Sequence, residues 1–204
     1  DVEIRYTCDG TEPVATSPLY EKPFTVDAST CVRAATFAQG VQMGKTLTLD
    51  MQWNLATGKR EIANNGSAGV LTNGVRGSLR HTDSEWVGWY DQDATFVIDL
   101  GKKTPVSEVT LGCITNSGMA VHKPAVIRLS VSNDKKSYRP VGEIRYSREE
   151  IFENRMAIED ARFDNLGVKA RYLKFEVVNP GLCPAGDVRE GQKVWMYFDE
   201  VMVQ

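Results

Sequence analysis

The chain has 204 residues, of which 42% are hydrophobic and 25% charged, with 17 Gly and 8 Pro, a balance that excludes both disorder and collagen-like order. Lys and Arg number 24 against 27 Asp and Glu, for a formal charge of -3, and no segment gathers the basic residues into a nucleic-acid footprint. No stretch approaches the roughly 20 apolar residues of a membrane helix, so neither a nucleic-acid partner nor membrane insertion is expected.

Val2, Ile4, Tyr6 and Cys8 alternate with Glu3, Arg5 and Thr7, the period of a strand with one buried face, and Asp9-Gly10 ends it in a turn. Pro13, Pro18 and Pro23 exclude a helix in the next stretch and leave 24–26 room for a short strand only. Two further strands are expected over 31–37 and 41–49, around Gln39-Gly40. So small a set of strands buries little surface, and the unit is expected to lean on a neighbouring domain. Between Met51 and Leu71 the pattern dissolves into polar residues, which places a boundary near Gln52 and two domains at 1–51 and 52–204.

In the second domain, alternation over 95–100 predicts a strand that Gly101-Lys102-Lys103 turns into another over 106–114. Strands over 127–131 and 173–177 follow, and 194–203 closes the chain. Ser147 and Glu150 have the spacing of a capping box ahead of Ile151 and Phe152, so one short helix is expected, with 157–163 extended after it. Repeated short strands joined by turns indicate a sandwich or jelly roll. The chain opens in mid-pattern, with neither Met nor a signal segment, and is expected to be a piece of a longer protein.

Cys8, Cys31, Cys113 and Cys183 lie far apart and lack the close pairing of a zinc site, so free and mostly buried thiols are expected. Their even number also permits disulfides in an oxidising compartment.

The run Ile4-Arg5-Tyr6-Thr7-Cys8-Asp9-Gly10-Thr11-Glu12-Pro13, with Ser17-Pro18-Leu19-Tyr20, Pro23-Phe24 and Val32-Arg33-Ala34-Ala35-Thr36-Phe37, resembles the small β domain at the C-terminus of chitobiases and β-hexosaminidases. From Asn54-Leu55-Ala56 onward the chain is similar to the discoidin-like modules, also called coagulation factor five/eight type C, whose bacterial sugar-binding members form carbohydrate-binding family 32. The residues that carry this are Leu71-Thr72-Asn73-Gly74-Val75-Arg76-Gly77-Ser78, Trp86, Val97-Ile98-Asp99-Leu100-Gly101, Ser130-Val131-Ser132-Asn133-Asp134, Ala170-Arg171-Tyr172-Leu173 and Asp199-Glu200-Val201. The resemblance implies an all-β protein, a small β-sandwich followed by a discoidin-like, galactose-binding-like jelly roll.

This order of modules resembles the tail of family 20 β-N-acetylhexosaminidases of gut bacteria. In those enzymes a β/α barrel carries an adjacent Asp-Glu pair; the only such pair here, Asp199-Glu200, lies on the terminal strand of a chain too short for a barrel. A non-catalytic fragment is therefore expected, whose partners are a glycan and the catalytic domain of the same parent chain, in a periplasmic, cell-surface or secreted protein.

The resemblance also implies a structural calcium ion, pinning the loop before the first strand to the last strand. Calcium takes six to eight hard oxygens, many of them carbonyls. Asn73, Val75, Ser78 and Glu200 occupy the family's positions, with the carbonyls of Val70 and Asp199 completing the shell. Asn73 stands where Asp is usual, which removes one negative charge.

Sugar binding needs a flat apolar platform for the C–H face of the ring and fixed polar partners for its hydroxyls. Candidates lie in 81–91, 116–123 and 180–195. Trp86 aligns with a core tryptophan of the family, whereas Trp89, Tyr90 and Trp195 are platform candidates and His81, His122 and Arg189 polar ones. Both histidines fall in expected loops, and without a cysteine or third histidine near them in sequence they make a poor zinc set. The charges of Asp83, Glu85, Asp187 and Glu190 are expected to be solvated. The expected function is binding of galactose- or N-acetylhexosamine-type sugars; the alternative is a structural module that buttresses the barrel without binding sugar. A phospholipid-surface role is disfavoured by the acidic balance and the lack of an apolar spike in a basic setting.

Overall fold

The computed structural model describes residues 1–67 and 69–204, which form two compact units, Asp1–Trp53 and Asn54–Gln204. In the first, strands β1 (Val2–Thr7), β2 (Thr30–Ala38) and β3 (Val41–Met51) make one antiparallel sheet in the order β1-β2-β3. The strand expected over 24–26 does not form. That segment is irregular, and Phe24 instead stacks on Tyr6 at 4.7 Å, with Tyr20 edge-on to both. Ala35 and Phe37 are this unit's buried hydrophobic residues, so its core is as slight as its length implies. The alternation along β1 is real, but its apolar side is uncovered: Val2 is 68% and Ile4 42% exposed.

The second unit is a sandwich of two antiparallel sheets. One holds β10 (Met156–Phe163), β7 (Val109–Asn116), β12 (Trp195–Val203) and β5 (Val87–Tyr90) in that order. The other runs β4 (Arg60–Ala63), β6 (Ala94–Val106), β11 (Val168–Val178), β8 (Val126–Ser132) and β9 (Arg139–Arg145). Inward residues of both sheets interdigitate. Phe96 stacks on Phe175 at 4.7 Å, and Phe198 approaches Phe96 at 6.2 Å.

Three strands carry no signal strong enough to be read from sequence. β4 and β9 are edge strands whose mixed composition hides their pairing, and β5 is only four residues long. Gly101 does not reverse the chain: its φ of 84° makes an irregularity inside the long β6, matched by a register shift between Ala170 and Tyr172 of β11. The chain turns instead at Ser107 and Glu108, both hydrogen-bonded to the carbonyl of Gln204. The short helix α1 (Arg148–Ile151) is present with its capping box complete, Ser147 accepting from Glu150 N and Glu150 accepting from Ser147 N.

Candidate functional site

The three segments singled out in the sequence meet at the start of β12. Tyr90 on β5 pairs with Trp195, Val121 bridges to Trp195, and His122 N donates to the Trp195 carbonyl at 3.1 Å. The 181–194 segment closes on itself through Cys183 N to Gln192 O and Val194 N to Gly181 O. Arg189 lies across the 116–123 segment, its Nε donating to the Gly118 carbonyl beside the Met119 sulfur.

Strand parity then sorts the aromatic residues. Met196 and Phe198 point into the core, so Trp195 and Tyr197 point outward, and the β5 residue opposite Trp195, Tyr90, shares that outer face. Tyr90 and Trp195 lie with ring centres 4.6 Å apart, Trp195 and Tyr197 stack at 5.3 Å, and His81 meets Tyr197 edge-on at 5.6 Å. The row is partly open, Tyr90 being 45% exposed. Gly88 makes room for it, since a Cβ there would come within 2.6 Å of the Tyr197 ring. Beneath and beside the row sits a small apolar cluster of Trp86, Ile114, Val121 and Ile158. Lys193 and Asp91, partly exposed and ion-paired, lie on the residues next to Val194 and Tyr90. Tyr197 was missed in the sequence, although its place two residues after Trp195 on one strand was the available signal.

Two sugar-site candidates are corrected by the structure. Trp89 is fully buried: it pairs with Met196, packs on Phe96 and Phe198, and donates its Nε1 to Asn64 Oδ1 at 2.7 Å. Adjacent strand residues face opposite ways, so Trp89 and Tyr90 cannot both be platforms. His122 is 1% exposed, not a solvated loop residue, because Val121 and His122 are drawn in by pairing with Trp195. Burial holds its imidazole below the ordinary value. Its Nδ1 meets the Ile151 carbonyl at 3.1 Å, and its Nε2 lies 3.6 Å from Asp187 Oδ2. Asp187, expected in solvent, has a side chain only 2% exposed. Trp86 is a core residue as expected, its Nε1 donating to Ser78 O and its ring packed so close to Gly77 that no Cβ would fit.

All four cysteines are free; Cys113 and Cys183 are buried, Cys31 is half-buried and Cys8 exposed. Burial, aided by Asp187, pushes the Cys183 thiol up to about 11.

The residues considered for calcium lie around the 70–78 loop. A 3-10 turn, Val70–Thr72, leads into it, and Asn73 Oδ1 accepts from Val75 N at 2.8 Å while its Nδ2 donates to Glu85. Gly74 N donates to Glu200 Oε2 at 3.1 Å, so the loop is seated on the last strand. Ser78 Oγ instead donates to Asp83, which turns it toward its own loop. Asp199 is fully buried, accepts from Arg76 and Gly77 N, and shares Arg76 with Asp160. Glu200 is also fully buried, and its Oε1 has no hydrogen-bond partner among the described residues. Burial pushes this carboxyl up to about 8. A buried carboxylate oxygen without a hydrogen-bond partner among the described residues has the chemistry to meet a hard cation such as calcium.

The fold and these loops define a discoidin-like jelly-roll module preceded by a small β unit. Residues 57–189 match the F5/8 type C domain model, and the chain belongs to that family. Residues 1–48 match the chitobiase/beta-hexosaminidase C-terminal domain. None of the curated proteins compared matches the chain. Among solved structures it is similar to chitosan-binding module 1 of a Paenibacillus sp. IK-5 chitosanase/glucanase, at 16% identity and TM-score 0.48, over 75% of this chain and 99% of that one. The C-terminal domain of a Bacteroides fragilis chitobiase aligns at 17% identity and TM-score 0.40, over 69% of this chain and 81% of that one. A Streptococcus pneumoniae fucose binding module aligns at 15% identity and TM-score 0.45, over 74% and 94%.

Proposed function

We propose that the chain is the non-catalytic, carbohydrate-binding region of a glycan-degrading β-N-acetylhexosaminidase, exported to the periplasm, cell surface or medium. It takes a terminal galactose- or N-acetylhexosamine-type sugar. The observation that carries the reading is the partly open aromatic row Tyr90–Trp195–Tyr197, set where three loops meet. Such a row offers the C–H face of a pyranose an apolar surface; His81, edge-on to Tyr197, and Asp91 and Lys193, next in sequence to Tyr90 and Val194, would serve hydroxyls, with Arg189 from the same loop region. Held near a glycan, the module raises the effective concentration of the parent's catalytic domain. One exposed monosaccharide buries little area and must offset its own immobilisation, so binding is weak.

Calcium belongs to the same proposal as a structural ion. Glu200 with the Asn73 side chain and the carbonyls of Val70, Val75 and Asp199 would hold it, with Ser78 available on rotation away from Asp83. Bound there, the ion would neutralise the buried Glu200 carboxylate and tie the 70–78 loop to β12.

Calorimetry at millimolar N-acetylgalactosamine, N-acetylglucosamine and galactose tests the sugar reading, with tryptophan fluorescence as a second signal. Trp195→Ala should abolish binding and leave the melting temperature nearly unchanged. Silence of all three sugars, and of a glycan array, would refute it.

The second reading, a buttress for a catalytic barrel, is favoured by one observation. Cross-strand pairing puts Val2, Ile4, Val41, Met43, Leu47 and Leu49 on one face of the first sheet, and all six are exposed. A contiguous apolar face of this kind marks an interaction surface.

A further inference from the structure

The structure brings together three potential metal ligands that the sequence separates by up to 65 positions: His122, Cys183 and Asp187. Their ligand atoms, an imidazole nitrogen, Sγ and a carboxylate oxygen, all lie within 4.8 Å of one another. We propose that these residues form a zinc site, independent of the sugar reading and of the calcium loop, with a fourth position open to a water molecule from the adjoining cleft.

Four observations support the assignment. First, the geometry is close to what zinc requires: tetrahedral N, O and S ligands stand roughly 3.4 to 3.6 Å apart. His122 Nε2 and Asp187 Oδ2 are already 3.6 Å apart. That distance is too long for a hydrogen bond, so the pair does not satisfy itself. Second, Nε2 is buried with no hydrogen-bond partner among the described residues, an unusual state for a polar atom in a core. Third, the other ring nitrogen is held by a carbonyl. Because the Ile151 carbonyl can only accept, Nδ1 carries the proton and the lone pair of Nε2 is directed at Cys183 and Asp187. Zinc-bound histidines are oriented in this way. Fourth, the site has a way in. A cleft of about 250 Å³ is lined by Asp187, Pro184, Gly186 and Phe152, and Phe152 packs against the His122 ring at 5.0 Å.

The local fold explains why the three residues are poised. Pairing of Val121 with Trp195 sets His122, and the mutual hydrogen bonds of Cys183 with Gln192 and Gly191 set the thiol. Asp187 uses Oδ1 to accept from Arg189 N, and its carboxylate also receives the Cys183 thiol proton, the hydrogen bond that metal binding would replace. On binding, the thiol loses its proton to solvent as the sulfur–zinc bond forms, while the imidazole and carboxylate enter without a proton change. Thiolate, imidazole and carboxylate together select zinc over calcium or magnesium. The ion would clasp the 183–192 segment to the 120–122 turn, the two pieces of backbone that flank Trp195.

The test uses the whole chain, freed of metal by chelator under reducing conditions, and cobalt(II) as the probe. One equivalent should produce a thiolate-to-cobalt charge-transfer band with the intense visible bands of a tetrahedral site, and one equivalent of zinc should displace it. Cys183→Ser should remove the charge-transfer band. His122→Gln and Asp187→Asn should weaken cobalt binding by more than the roughly 100-fold that loss of an outer-sphere partner costs. Cys8→Ser should leave spectrum and affinity unchanged. If Cys183→Ser fails to fold, Asp187→Asn, at the mouth of the cleft, decides alone. No tetrahedral spectrum in the parent protein, a charge-transfer band that survives Cys183→Ser, or unchanged affinity in Asp187→Asn would each overturn the proposal.

Discussion

Replacing Glu200 by Gln in metal-free protein separates a structural carboxylate from one that awaits a cation. The carboxyl is fully buried and is pushed by burial from an ordinary 4.5 up to about 8, against the hydrogen bonds of Gly74 N and the Asn54 side chain, with the Asp199 charge adding to the shift and Arg76 opposing it. At pH below the ordinary value, folded and unfolded chains both hold the proton and the group contributes nothing to pH dependence. As pH rises past it, the unfolded chain releases the proton and the folded chain does not, so folding loses about 1.4 kcal/mol per pH unit until about pH 8. By pH 7 the accumulated loss is on the order of 3 kcal/mol. Gln keeps the acceptor for Gly74 and cannot ionise, so Glu200→Gln should be the more stable protein in chelator at neutral pH. The assay is urea unfolding followed by tryptophan fluorescence at half-unit steps from pH 5 to 8.5, with each variant measured with chelator and with calcium. Other titrating groups cancel in the difference between the two proteins. The difference should grow with pH in chelator and reverse in calcium, which stabilises only the protein that carries the carboxylate. A difference that is flat with pH, or a Gln variant that is destabilised in chelator at pH 7, would refute the reasoning.

Trp89→Ala, made as the counterpart of Trp195→Ala, should cost about 3 to 5 kcal/mol in chemical denaturation because it empties the centre of the core and removes one of the two hydrogen bonds that Asn64 Oδ1 accepts. Arg76→Met should cost about 3 kcal/mol, since it leaves the fully buried Asp199 charge without its cation; an effect under about 1 kcal/mol would mean that the N–H groups of Gly77 and Glu200 suffice. Ser147→Ala removes one half of the capping box and should lower stability by about 1 kcal/mol without altering cobalt or sugar binding, as measured by the same titrations.

The class of fold was legible because it rests on local patterns. Alternation marked the long strands of both units, and the Ser147 to Glu150 spacing announced the helix α1, since a capping box is complete within four residues. Trp86 was assigned to the core through its resemblance to a known module, and burial agrees. The three candidate segments were likewise drawn from the loops of that module, and they meet at Trp195.

What stayed hidden was decided by pairing over long distances in the chain. The parity that buries Trp89 and exposes Tyr90 depends on the register of β5 against β12, more than a hundred residues away, and a one-residue shift would exchange their roles. The edge strands β4 and β9 take their conformation from partners rather than from their own composition. His122, Cys183 and Asp187 showed no metal spacing, because the loop that carries the thiol and the carboxylate reaches the histidine only when β12 is in place. The amino-acid pattern alone therefore determined which segments extend, where the helix starts and which residues have the chemistry to bind. Only the tertiary structure decided which of them face solvent and which face one another, because burial and side-chain direction are set by strand partners that no local window contains.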